Sequence, residues 1–267
     1  MMAAGASRKA RKRTARHRRL LFFSLTLGSG LLASLLMLDI LRANTLTVLE
    51  ALWRDGPSLL GSLWITLRIT AMALATATVL GGLLAVLLAQ SRWIEASVFP
   101  YAVILQVTPI VAIAPLIIIW VNDVTWSLLI CAWLVAFFPI LSNTTLGLNS
   151  TDRNLDDLFR LYGANRWQAL LYLRMPTALP YFLAGLRISG GLALIGAIVA
   201  EFVAGTGGAE SGLAFRILES GYRLQIPRMF AALLLLSATG IAIYLVLSLL
   251  SRLLLRHWHE SALKPDR

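Results

Sequence analysis

Thirteen carboxylates, three histidines and one cysteine are the whole stock of acid–base, nucleophilic and metal-ligating side chains in this 267-residue chain, and they are scattered. His17, His257 and His259 lie in two basic terminal stretches, and no His/Cys/carboxylate set has the spacing of a metal site. Cys131 stands alone inside an apolar run, so it forms no disulfide within the chain and reads as a small core hydrophobe. The Gly-rich start of segment 205–228 lacks the Gly-Lys-Ser/Thr ending and the preceding strand of a phosphate loop. Catalysis, a bound metal and a cofactor are therefore not expected, and the chain reads as a non-enzyme.

The most specific spacing lies in 151–188, the longest polar interruption between two strongly apolar runs. Asn154 with Asp157, and Asn165 with Gln168, each have the form of a capping box that opens a short helix. Leu155, Leu158, Phe159 and Tyr162 follow at i, i+3, i+4 and i+7, one apolar stripe on an otherwise charged helix. Gly163 stands where a left-handed residue should end that helix. Pro176 is expected to break the second helix, and Pro180 to open the apolar helix that follows. The pattern predicts two short amphipathic helices hinged at Gly163. Taken alone, such a hairpin also fits the surface of a bilayer, with its stripe in the acyl boundary.

The elements that must hold this hinge are apolar. The chain is 58% hydrophobic and 14% charged, with a mean hydropathy of +0.76, too little polar surface for a soluble domain of this size. Runs of about 20 apolar residues cross about 30 Å of hydrocarbon as helix. Six are predicted, at 20–41, 69–90, 98–121, 126–148, 181–204 and 229–250. They are continuously apolar rather than alternating, which excludes a β-barrel and gives an all-α membrane protein. The predicted layout is a basic arm at 1–19, a first anchor and outer loop at 20–57, a core at 58–254 containing the loop 150–180, and a tail at 255–267.

The net charge of +11 is a topology signal before it is anything else. Of the 24 Lys and Arg, eight lie between Arg8 and Arg19, four are Arg153, Arg160, Arg166 and Arg174, four follow the last span, and one is Arg92. These 17 share one side if the N-terminus is inside, against five on the other (Arg42, Arg54, Arg216, Arg223 and Arg228). Both termini and the hinged loop are therefore expected on the cytoplasmic side of the membrane, with anionic lipid headgroups drawn to the basic stretches. No aromatic residues interleave the charges of the arm, so nucleic acid is not an expected partner. The run 20–41 is longer than the core of a cleavable signal, which favours an uncleaved anchor.

Within the spans, prolines and polar residues mark candidate pathway positions. Span three carries Pro100, Thr108-Pro109 and Pro115; proline frees backbone carbonyls and kinks the axis where neighbours or water satisfy them. Span two has Gly81 and Gly82, and span five has Gly185, Gly190, Gly191 and Gly196, small residues that let backbones approach. Arg68 is expected to snorkel at the outer end of span two, and Arg187 to snorkel or pair with Asp156 or Asp157. Glu201 is a carboxylate near the outer end of an apolar helix; a pathway role and an interfacial pairing with Arg216 or Arg223 are both open. Residues 213–224 are expected to form a short helix with Leu213, Ile217 and Leu218 on its buried side.

Gly163-Ala164 followed by Leu173-x-Met175-Pro176 resembles the EAA loop of binding-protein-dependent ABC importer permeases, whose pattern is Glu-Ala-Ala, three residues, Gly, nine residues, Ile-x-Leu-Pro. The Gly-to-Pro spacing matches, while Asp157, Leu158 and Phe159 stand where the family has Glu-Ala-Ala. The resemblance covers roughly 58–258 and is nearest to the subfamily importing nitrate, sulfonates, taurine and thiamine-precursor pyrimidines. It implies a type I (MetI-like) six-helix permease. Its ATPase-coupling residues would be Asp157, Leu158, Phe159, Tyr162, Gly163, Ala164 and Pro176, and its translocation pathway would include Thr108, Pro109, Pro115 and Glu201. The implied partners are two copies of a cytoplasmic ATP-binding subunit, a second permease copy, and a periplasmic or lipid-anchored substrate-binding protein. Few charges face a plausible cavity, which favours a small neutral or aromatic solute such as a pyrimidine or a flavin; a sulfonate or taurine stays open. The rival from another class is an ion-coupled secondary transporter, which would show inverted repeats and mid-depth carboxylates.

Overall fold

In hydrocarbon every backbone N–H and C=O must be paired inside the protein, and the structure meets that demand with helices joined by short turns. The computed structural model describes residues 46–205 and 211–256. The basic arm, the predicted span 20–41 and most of the predicted tail lie outside the described residues. The chain divides into two units, Met1–Trp53 and Arg54–Arg267. Of the first, residues 46–53 are described and are helical.

The second unit opens with α1, Gly56–Leu88, whose Pro57 occupies the first turn, where a missing N–H costs nothing. The helix starts well before the predicted position 69. Leu59, Ser62, Thr66, Ile69 and Thr70 continue the same buried stripe that later carries Ala73, Ala77, Gly81 and Ala85. Arg68 consequently lies about 18 Å inside the helix rather than at its end.

The predicted third span is two helices, α2 (Arg92–Val107) and α3 (Ile110–Val121), bent by 98°. Thr108-Pro109 causes the break. A residue before proline is pushed out of the helical region, and Thr108 and Pro109 are both extended, at φ −67°, ψ 122° and φ −64°, ψ 113°. Pro100 and Pro115 sit inside α2 and α3 without ending either. Asn122, in the left-handed conformation, stops α3, and the Asp123 carboxylate then caps α4 (Val124–Asn149) by accepting from the Trp126 N–H at 2.8 Å.

After α4 come the two short helices, α5 (Arg153–Leu161) and α6 (Arg166–Ala169). A π-helical turn at Leu170–Arg174 leads into the long α7, Met175–Ala204. Pro176 does not break this helix as the sequence predicts. The ladder widens just ahead of it, so that the Met175 N–H reaches the Leu170 carbonyl five residues back, and the chain from Arg166 to Ala204 runs on as one apolar span. The outer-segment helix is α8, Leu213–Tyr222, with Leu213 and Ala214 buried, and α9 is Ile226–Leu255. Among the described residues four helices are long and apolar enough to cross a membrane, or five spans if the bent pair counts as one.

Packing centres on α4 against α7. An added Cβ at Gly147 would lie 2.7 Å from Tyr181 Cβ and 2.9 Å from the Ala178 Cα; one at Gly185 would lie 2.7 Å from the Pro139 carbonyl; one at Gly196 would lie 2.8 Å from the Ala132 Cα. Between these contacts the buried Ser189 hydroxyl donates to the Ala136 carbonyl at 2.6 Å. Around them lie two apolar clusters. One is built on Leu88, Ile140, Leu141, Leu148 and Leu183, the other on Ile69, Ala114, Leu128, Cys131 and Ala197. Cys131 is a buried core residue, as expected.

Gly147→Ala should therefore lower stability by about 1–3 kcal/mol, the usual cost of overpacking. Gly82→Ala, where an added Cβ meets nothing within 4 Å, should not lower it and should raise it by up to about 1 kcal/mol through helix propensity. Thermal unfolding of the detergent-solubilised protein measures both.

Candidate functional site

The bundle has two ends with distinct chemistry. At the loop end, α5 begins at Asp152, whose carboxylate accepts from the Asn154 N–H at 2.8 Å. The predicted Asn154 cap is thus displaced by an acid two residues earlier, which satisfies the orphan donors and complements the helix dipole. The helix ends as expected. Gly163 has φ +72°, its N–H donates to the Arg160 carbonyl and the Ala164 N–H donates to the Phe159 carbonyl, the paired bonds of a Schellman stop. The second capping box is complete: the Asn165 side chain accepts from the Gln168 N–H and the Gln168 side chain accepts from the Asn165 N–H, both at 2.8 Å.

The loop is fastened to α7 through charge. Asp156 pairs with Arg160 at 2.9 Å and with Arg174 at 3.4 Å. Pairing with Arg187, one of the two roles open to that residue, does not form; Arg174 holds the carboxylate instead. A cavity of about 430 Å³ lies under this pair, lined by Phe159, Arg160, Ala164, Arg166 and Arg174 among others. The Asn149 amide donates to Glu95 at 3.2 Å and ties α4 to α2 at the same end.

No residue of α5 is buried. Leu155, Leu158 and Tyr162 are exposed, Tyr162 to 84%, Phe159 is half-buried, and Asp157 is exposed. The stripe therefore turns away from the chain's own spans. Leu161 at 85%, Trp167 at 74%, and Leu171 and Tyr172 extend this apolar surface. Sequence reasoning missed these four because it followed one helical face of α5 and treated α6 only as a cap; Trp167 and Leu171 at i, i+4 were the available signal.

At the opposite end Glu201, 3% exposed, is held by neutral donors. The Thr66 hydroxyl donates to it at 2.7 Å, the Ala214 N–H donates at 2.9 Å, and Thr66 in turn accepts from the Leu213 N–H at 2.8 Å. The carboxyl thus caps the first turn of α8, where the positive end of the helix dipole favours it. A Cβ on Gly212 would collide with the Glu201 carboxyl. Arg216 and Arg223, the candidate partners of Glu201, instead pair with Glu219, each at 2.9 Å, one turn along the chain from it on either side, and Arg216 also donates to Ser62 of α1 at 3.1 Å. Thr108 is half-exposed and donates to the Ile104 carbonyl at 2.7 Å, while Pro109 and Pro115 are exposed. Among the described residues no group of His, Cys, Asp and Glu could hold a metal ion.

Thr66→Val leaves the Glu201 carboxyl and the Leu213 N–H each short of a partner, and should cost about 1–3 kcal/mol; faster hydrogen exchange at Leu213 and Ala214 localises the loss. The hydrogen bond from Arg216, reinforced by the charge of Arg223, holds the Glu219 carboxyl below its ordinary value of 4.5 against the opposing pull of burial. A lowered folded-state value stabilises α8 above pH 4.5, and that contribution is lost as pH falls through the folded value. Glu219→Gln should remove this acid limb from a plot of α8 exchange protection against pH.

A family model described as the inner membrane component of binding-protein-dependent transport systems matches residues 77–260. The formylaminopyrimidine transport permease protein ThiX of Halalkalibacterium halodurans is 37% identical over 190 residues, 71% of this chain and 74% of that one. The riboflavin transport system permease protein RibX of Chloroflexus aurantiacus is 39% identical over 65% of this chain and 63% of its own length. Among solved structures, an amino acid ABC transporter crystallised with histidines superposes with a TM-score of 0.61 over 78% of this chain and 97% of that one; at 18% identity the likeness is one of fold.

Proposed function

We propose that this chain, which belongs to the family of inner-membrane components of binding-protein-dependent transport systems, is the permease subunit of an ATP-driven importer of a small organic solute. One observation carries the reading. The amphipathic helix α5, its apolar stripe facing solvent, is fastened by Asp156 to Arg174 at the root of an unbroken helix that carries Glu201 in its last turn, beside α8. Such a part transmits displacement from one end of the bundle to the other.

In this reading the loop end is cytoplasmic, as the excess of Lys and Arg on that side supports. Each of two ATP-binding subunits receives Leu155, Leu158, Leu161, Tyr162 and Trp167 in a hydrophobic groove, a helix laid in a slot. Phe159 and Ala164 line the floor of the loop, Asp157 faces the partner, and Gly163 sets the angle between the two helices. Closure of the ATPases on ATP favours one arrangement of the spans over the other, and that difference alone moves the equilibrium. Two permease copies related by a two-fold axis enclose the pathway, with the Thr108-Pro109 break and Pro115 beside it. The binding protein, periplasmic or lipid-anchored, delivers solute at the α8 end, where Glu201 holds α8 to α7 and α1.

The names of the relatives support a heteroaromatic solute of pyrimidine or flavin size, and a sulfonate of the taurine kind fits the same subfamily.

The test combines Gly163→Val, which forces a β-branched side chain to positive φ, with Asp157→Lys. Co-purification of the ATP-binding subunit should be lost, and ATP-dependent uptake should fall at least about tenfold, equivalent to about 1.4 kcal/mol of docking energy. Intact co-purification and uptake would refute the docking role. Uptake that survives deletion of the ATP-binding subunit would replace this reading with an ion-coupled carrier.

A further inference from the structure

Arg187 is a charged side chain that the coupling mechanism leaves unused. At 1.5 Å per residue it lies about 18 Å along α7 from Met175 and about 21 Å from Glu201, well inside the span. It is half-buried, and among the described residues no hydrogen bond or ion pair satisfies it. Asp156 is taken by Arg160 and Arg174, Asp55 by Arg54 and Arg228, Glu219 by Arg216 and Arg223, Glu95 by Asn149, and Glu201 by Thr66 and Ala214. Ser189, two residues on, faces α4 through its bond to Ala136, and Gly190 is where α9 approaches through Ile243 and Leu247. Arg187 flanks that contact. One turn further along its face is Gly191, which is exposed and where an added Cβ meets nothing within 4 Å.

An unpaired arginine facing acyl chains at this depth is expensive, and such residues face a bundle interior or a water-filled cavity. The guanidinium is permanently charged and presents a planar fork of donors that fits two oxygens of a carboxylate, sulfonate or phosphate at once. We propose that Arg187 is the contact for an anionic oxygen group of the transported solute, on the open flank of α7 marked by Gly191. This rests on the permease reading and narrows its solute: a small, partly apolar body carrying one carboxylate, sulfonate or phosphate, in place of the neutral molecule that the scarcity of cavity charges favours. A lipid headgroup phosphate offers the same chemistry, and it would be the occupant if this flank lay against the bilayer and the side chain snorkelled out of the acyl region to reach it.

The experiment places Gly191→Cys in a Cys131→Ala background and follows thiol modification in membrane vesicles, with and without Mg-ATP. The probes are anionic sulfonatoethyl methanethiosulfonate and cationic trimethylammonioethyl methanethiosulfonate, each rate being divided by that on free cysteine. The corrected rates should favour the anionic reagent about tenfold, the scale of one unit charge nearby in a partly hydrated site. Arg187→Lys should keep the preference and Arg187→Gln should abolish it. Absence of labelling by both reagents in both conditions would put the flank in lipid and assign Arg187 to a headgroup, overturning the proposal. A preference that survives Arg187→Gln would overturn it equally. Labelling requires neither a docked ATPase nor uptake, so this result stands or falls separately from the coupling test.

Discussion

A helix in hydrocarbon has to keep its own hydrogen-bond ladder, and the ladder from Arg166 to Ala204 survives Pro176 and Pro180. In the second unit α1, α3, α4, α8 and α9 all pack against that rod. The widened turn at Leu170–Arg174 is what makes it possible, since the Met175 N–H reaches back five residues and the missing donor of Pro176 falls in a stretch already loosened. A break at Pro176 would have left the amphipathic hairpin attached by a flexible joint, able to move without moving α7. With the rod intact, the Asp156–Arg174 pair at one end and the Glu201–Thr66–α8 network at the other belong to one body.

Close approach of α4 fixes where this body can lie. Gly147, Gly185 and Gly196 set backbone against backbone at three heights, and Ser189 adds a hydrogen bond between them. In lipid the hydrophobic effect offers little between helices, so such contacts and dispersion supply the specificity of packing. The third predicted span takes the opposite course. At Thr108-Pro109 two successive extended residues turn the axis, and a continuous apolar run becomes two helices at a right angle. The same residue type thus spares one helix and breaks another. Pro176 directly follows the widened turn, and Pro180 is absorbed inside α7, whereas Pro109 follows a threonine that it forces out of the helical region.

The loop end exposes apolar side chains that a protein with a satisfied surface would bury, and the opposite end buries a carboxylate that a protein without a use for it would replace. The first arrangement costs the isolated chain solubility. The second satisfies the orphan N–H groups at the start of α8. Arg187 lies between them on the rod, charged and without a partner among the described residues.

Hydropathy and local punctuation determined a large part of this protein. Apolar run length gave the helical membrane class, the Gly163 stop and the Asn165–Gln168 box gave the two short helices, and the Gly163-to-Pro176 spacing gave the family. These are short-range properties, set by side chains acting on backbone within a few residues. Tertiary structure decided the rest. Whether Pro109 or Pro176 breaks a helix depends on what the neighbouring turns can absorb. Which carboxylate meets which arginine depends on helix rotation: Asp156 found Arg174 rather than Arg187, and Glu201 found Thr66 and the α8 backbone rather than Arg216 or Arg223. Those pairings join residues far apart in sequence whose meeting is governed by the three-dimensional course of the helices, and no spacing along the chain encodes it.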